Sequence, residues 1–66
     1  MKITINGQEK TCAAQLDIAA LLETEGYAGK LVAVALNGTF IPKSRHKETI
    51  LNEGSAIEIL APMQGG

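Results

Sequence analysis

The sequence predicts an α+β domain of order ββαβββ, a mixed sheet packed on one helix, with a short glycine-ended tail beyond the last strand. The prediction rests on strand-like alternation near both ends of the chain, a capped amphipathic stretch in the first half, and two Asn-Gly turn signals. In Lys2-Ile3-Thr4-Ile5 polar and apolar residues alternate with the period of a half-buried strand, which turns Ile3 and Ile5 toward the core. Asn6-Gly7 follows, and both residues tolerate the positive φ of a type I′ hairpin turn. The returning segment, Gln8 to about Ala13, is weakly patterned and is expected at a sheet edge.

Asp17 suits a helix N-cap, because its carboxylate can accept from free first-turn amides, and Leu16 and Leu21 occupy the N′ and N4 positions of a hydrophobic staple. Ile18, Leu21 and Leu22 then form one apolar face. Glu23, Thr24 and Glu25 are polar, and Gly26 can take the left-handed conformation that closes a helix, so a helix is expected over about residues 18–25.

Within Leu31-Val32-Ala33-Val34-Ala35-Leu36 the larger residues Val32, Val34 and Leu36 share one parity, opposite Ala33 and Ala35, and should face the core. Asn37-Gly38 turns the chain into Thr39-Phe40-Ile41, which Pro42 ends because it has no amide to donate. Residues 43–47 read as a charged, polar connection. Asn52-Glu53-Gly54-Ser55 turns into Ala56-Ile57-Glu58-Ile59-Leu60, with Ile57 and Ile59 inward and Glu58 outward. A hairpin, a crossing helix and further strands allow the first and last strands to pair in parallel, which is the β-grasp arrangement. Residues 1–60 form the expected domain and 61–66 a flexible tail.

A chain of 66 residues makes one domain, which at this size buries about 60% of the surface its unfolded form exposes and has no room for an enclosed active site. Six Lys+Arg against seven Asp+Glu, a net charge of −1, give no general attraction to phosphate backbones or acidic membranes, so neither nucleic acid nor membrane is an expected partner. The opening Met1-Lys2-Ile3-Thr4-Ile5-Asn6 reads as a strand rather than a signal peptide, and no apolar run approaches the roughly 18 residues of a membrane span; a cytoplasmic location and a monomer are expected. Cys12 is the only cysteine and His46 the only histidine, too few for a disulfide or a metal site.

The chemistry is expected in the tail, Ala61-Pro62-Met63-Gln64-Gly65-Gly66. Against a background glycine frequency near 7%, a terminal Gly-Gly pair arises by chance in roughly 0.5% of chains, so its position after a final strand is read as a feature. Without a Cβ, Gly65 and Gly66 let the backbone thread a narrow channel beside a nucleotide, with Met63 and Gln64 entering behind them. The last five residues could carry the Gly66 carboxylate on the order of 16 Å from the domain. A free carboxylate is inert at neutral pH, but joined to AMP as a mixed anhydride it gains a leaving group that sulfur can displace, yielding a thiocarboxylate. The carrier supplies no catalytic residue and binds no cofactor; ATP and Mg²⁺ belong to the activating enzyme, and the protein is a recyclable cosubstrate rather than an enzyme.

Ala35-Leu36-Asn37-Gly38, Phe40-Ile41-Pro42-Lys43, Glu48-Thr49-Ile50-Leu51-Asn52-Glu53-Gly54, Ile57-Glu58-Ile59-Leu60 and Pro62-Met63-Gln64-Gly65-Gly66 together resemble the ThiS family, ubiquitin-like β-grasp sulfur carriers of thiamine (thiazole) biosynthesis. The resemblance covers essentially the whole chain. Where the family often has Arg after the proline and Asp after the turn glycine, this sequence has Lys43 and Ser55, which keep a positive charge and a turn-former. The resemblance implies that an E1-like adenylyltransferase of the ThiF type activates Gly66. It also implies that sulfur comes from a cysteine-desulfurase persulfide and that the thiocarboxylate delivers it to thiazole synthase of the ThiG type.

The nearest alternative is the small subunit of molybdopterin synthase, which shares fold, tail and adenylation; length and the Met63-Gln64-Gly65-Gly66 ending favour the thiazole role. A protein modifier would form an isopeptide bond instead, and a plain β-grasp binding module would keep its function without Gly65 and Gly66. Cys12 reads as a small core residue in preference to a persulfide carrier, and His46, between Arg45 and Lys47, as part of a solvated loop in preference to a nucleotide or partner contact. Partners must also grip the domain. Phe40, Leu60 and Met63, with Ala33 and Ala35 as a flat sheet surface, are the candidates for docking, and partial burial under residues 43–52 is the alternative for Phe40.

Overall fold

The computed structural model describes residues 1–61. The tail functions expected of Met63, Gln64, Gly65 and Gly66, and the tail itself beyond Ala61, lie outside the described residues. The elements are β1 (Lys2–Ile5), β2 (Gln8–Thr11), α1 (Ile18–Thr24), β3 (Ala33–Leu36), β4 (Thr39–Ile41) and β5 (Ala56–Leu60), with a 3₁₀ turn over Lys43–Arg45. The sheet order is β2-β1-β5-β3-β4. β1 and β5 pair in parallel and every other pair is antiparallel, so the last strand lies in the middle of the β-grasp sheet.

Both Asn-Gly pairs form the expected turns, with φ of 50° and 84° at Asn6-Gly7 and 50° and 85° at Asn37-Gly38. Each asparagine also grips β5. The Asn6 side chain imitates a peptide group, accepting from Ile59 N at 2.8 Å and donating from Nδ2 to Ile59 O at 3.2 Å. Asn37 donates its backbone amide to Ala56 O at 2.7 Å and accepts from Ala56 N through Oδ1 at 2.9 Å. These bonds carry the ladders on both sides of β5 past the ends of the neighbouring strands.

Asp17 caps α1 as its sequence position requires, Oδ1 accepting from Ala20 N at 2.7 Å. The helix ends at Thr24, one residue short of expectation, in a Schellman arrangement: Tyr27 N donates to Leu22 O at 2.8 Å and Gly26 N to Glu23 O at 3.2 Å, with Gly26 at φ +89°. The segment after β4 is more than a charged connection. Its Thr49 and His46 carbonyls accept from the first helical amides, Ile18 N at 3.1 Å and Ala19 N at 3.3 Å, and Leu51 N donates to Leu16 O at 2.8 Å. A helix start leaves such amides without partners, and here a distant loop supplies them.

The core gathers Ile3 and Ile5 from β1, Ile18, Leu21 and Leu22 from α1, Val34 from β3, Leu51 from the loop, and Ile57 and Ile59 from β5. Of the three residues of the 31–36 segment expected inward, Val34 in β3 is fully buried, while Val32, just before the strand, and Leu36, at its end, pack at the margin of the core. Cys12 is half-buried against the core, as a small apolar residue would be. All four residues of β2 are exposed at the sheet edge.

The unequal clamps give a test. Asn6→Asp replaces the donor facing Ile59 O with a carboxylate oxygen, whereas Asn37→Asp keeps the acceptor that Ala56 N needs. Urea unfolding should show Asn6→Asp losing about 1–3 kcal/mol and Asn37→Asp less than about 1 kcal/mol, with unchanged m-values. Equal losses would mean that the second Asn6 hydrogen bond contributes nothing.

Candidate functional site

Strand alternation sorts the sheet into two faces. Val34 pairs with Ile59 and with Ile41 on the core side, so the neighbouring pairs, Ala33 with Leu60 and Ala35 with Phe40 and Glu58, point outward. Leu60 is 69% exposed and Phe40 63%. The expected alternative for Phe40, burial beneath residues 43–52, is overturned: Phe40 stays exposed, and that segment spends its backbone hydrogen bonds on the start of α1, with only Lys43 and His46 reaching the groove beside Phe40.

Ala33, Phe40 and Leu60 share an open groove of about 370 Å³, which Leu31 completes. Ala35 stands beside the groove, between Phe40 and Glu58 on the same face. The alanines keep this part of the sheet low, so an incoming side chain can reach the backbone between Phe40 and Leu60. Sequence reasoning missed Leu31, at 72% the most exposed of the large apolar residues described. The signal was available, since Leu31 shares the parity of Ala33 and Ala35 rather than that of Val34.

His46 corrects an expectation. It was expected in a solvated loop, yet it is only 6% exposed. The 3₁₀ turn over Lys43–Arg45 swings its ring inward, where Nε2 lies 3.1 Å from Ile41 O. A carbonyl only accepts, so Nε2 carries the proton and donates. The ring ties the loop to the end of β4 and forms part of the groove's floor. Arg45, by contrast, turns outward and pairs with Glu48 at 3.3 Å.

Among the described residues no three His, Cys, Asp or Glu side chains are grouped to hold a metal ion, and no helix is long and apolar enough to cross a membrane. What the domain does provide is an exposed apolar groove at the end of its central strand. β5 finishes at Leu60 in that groove, and the Gly-Gly tail continues from there.

The ThiS family model matches residues 3–66. The chain belongs to the ThiS family. The crystal structure of the thiamine biosynthesis protein (ThiS) from Geobacter metallireducens shares its fold at a TM-score of 0.85 and 32% identity, covering 100% of both chains. An NMR solution structure of a thiamine biosynthesis protein from the same organism gives a TM-score of 0.84 and 33% identity over 100% of this chain and 88% of that one. A thiazole synthase of Paramagnetospirillum magneticum (strain ATCC 700264 / AMB-1) is 38% identical over 66 residues, all of this chain but only 20% of that protein's length. The uncharacterized protein ycf40 of Porphyra purpurea is 27% identical over 100% of this chain and 93% of its own. As a ThiS-family chain, the protein has a sulfur-carrier role in thiamine biosynthesis.

The exposure of the groove predicts how its residues tolerate change. Leu60→Glu and Phe40→Ser should each shift unfolding stability by less than about 1 kcal/mol, whereas Ile59→Ala, one position along β5 and facing inward, should cost about 2–5 kcal/mol. Chemical denaturation of the three variants checks this, and collapse of Leu60→Glu would assign Leu60 to the core.

Proposed function

We propose that the working group of this ThiS-family carrier is the Gly66 carboxylate, presented to an activating enzyme by a tail that leaves the domain at Leu60. The observation that carries this reading is the join between the central strand and the tail. β5 is held on both sides and by both asparagines, and Met63-Gln64-Gly65-Gly66 follows within a few residues of its end. The domain acts as a rigid handle and the tail as the reagent.

The reaction begins when a Gly66 carboxylate oxygen attacks the α-phosphorus of ATP on an E1-like adenylyltransferase, expelling pyrophosphate and leaving an acyl adenylate. The terminal sulfur of a persulfide then attacks the carbonyl carbon, and AMP departs with the bonding pair. A thiol reduces the resulting acyl disulfide, leaving a thiocarboxylate on Gly66 and a disulfide on the donor. The chain contributes no acid or base to these steps. Gly65 and Gly66 provide a backbone slim enough for a narrow channel, Met63 and Gln64 follow, and Leu60, Phe40, Ala33 and Ala35 hold the domain against the enzyme.

Thiazole synthase is the proposed recipient of the sulfur. A relative of that name carries, within one polypeptide, a segment 38% identical to this whole chain, which supports an association of the two activities.

Incubation with the cognate adenylyltransferase, ATP, Mg²⁺ and a persulfide donor tests the reading through intact mass. Wild type and Cys12→Ser should each gain about 16 Da, the exchange of oxygen for sulfur at an activated carboxyl, and the gain should survive thiol reductant. A chain lacking Gly66 should gain nothing. A mass gain that vanishes with Cys12→Ser would move the chemistry to the cysteine.

A further inference from the structure

The net charge of −1 conceals a segregation of charge around the groove. Lys10 is paired with Glu25 at 3.1 Å and Arg45 with Glu48 at 3.3 Å. Lys30, Lys43 and Lys47 make no ion pair among the described residues, and all three line the groove or the adjoining one. The two grooves share Leu22, Lys30, Lys43 and His46, so they form one continuous surface from the outer sheet face around to the end of α1. Only one carboxylate, Glu23, lines it, and that lies in the half remote from Leu60. Glu58 stands on the outer sheet face beyond Ala35, outside the groove. The lining of the two grooves is therefore predominantly positive.

Three large apolar side chains, Leu31, Phe40 and Leu60, stand exposed in the midst of these cations. A phosphate backbone would satisfy the lysines but leave this apolar surface in water, whereas a protein with an apolar projection flanked by carboxylates would satisfy both. Any protein that acts on Gly66 must also lie within the tail's reach of Leu60, about 16–20 Å at full extension, and this groove, with Leu60 in its lining, falls within that range.

We propose that the groove is an amphipathic docking surface for a protein partner bearing apolar side chains ringed by Asp and Glu, in which Lys30, Lys43 and Lys47 steer the encounter and Leu31, Phe40 and Leu60 set its lifetime. In taking the adenylyltransferase as that partner, the inference rests on the carrier reading above. The division of labour follows from range: charges at the rim act across about 8–10 Å of solution at moderate salt, while apolar contact acts only after docking.

Association with the cognate adenylyltransferase, followed by surface plasmon resonance at low and high salt, tests the proposal. The combined variant Lys30→Gln, Lys43→Gln, Lys47→Gln should associate about tenfold more slowly at low salt, with little salt dependence left and dissociation changed less than about twofold. Leu31→Ser should instead speed dissociation about tenfold. Lys2→Gln, which removes one cation away from the groove, is the control. Unchanged association of the triple variant, or an equal loss from Lys2→Gln, would overturn the proposal. So would lysine-dependent binding to duplex DNA or RNA with lysine-independent binding to the enzyme. Intact mass of the wild type separates the two readings: a thiocarboxylate formed with lysine-independent association overturns the docking proposal alone, while neither binding nor mass gain overturns both.

Discussion

The placement of the last strand at the centre of the sheet is the constraint on which the rest depends. β5 must find β1 in parallel on one side and β3 antiparallel on the other, and both partners are synthesised long before it. Two turn asparagines meet it there. The same left-handed conformation that makes Asn6 and Asn37 turn residues aims their side chains along the neighbouring strand, so hairpin formation and capture of β5 are one structural event. The β-grasp sheet closes from both sides onto the strand that carries the tail.

A second long-range dependence runs through residues 43–52. This stretch gives up carbonyls to the start of α1, buries Leu51, and turns His46 inward against the Ile41 carbonyl. The short helix is thus completed at its N-terminus by a loop that follows it by more than twenty residues in the chain. Such an arrangement fits a domain that cannot rely on size for its stability, since every orphan amide satisfied by existing chain spares a separate cap.

Function sits at the surface because a carrier has to be handled. The groove beside Leu60 combines an apolar centre with a cationic rim, and three of the four lysines without an ion pair among the described residues gather there, Lys2 on β1 being the exception, although the total charge is near zero. Within the ThiS family, the proposed chemistry asks little of the domain beyond rigidity, recognition and a tail of the right reach. The domain has the means for each: a clamped strand, an exposed face, and a terminal pair of glycines after it.

By itself the sequence determined the elements, the turn types, the helix cap, the parity of β5 and the Gly-Gly ending, because these depend on residues within a few positions of one another. Local alternation was enough to send Ile57 and Ile59 inward and Leu60 outward, and the same rule could have found Leu31. Only the tertiary structure decided what His46 and Leu51 do, since their charged or irregular surroundings have no period and the segment their backbones bond to, Leu16 to Ala19 at the start of α1, is reached only through the fold. It also decided that Lys30, Lys43 and Lys47 surround one surface. They lie on two separate loops, and packing of the helix against the sheet, which no local pattern encodes, brings those loops together.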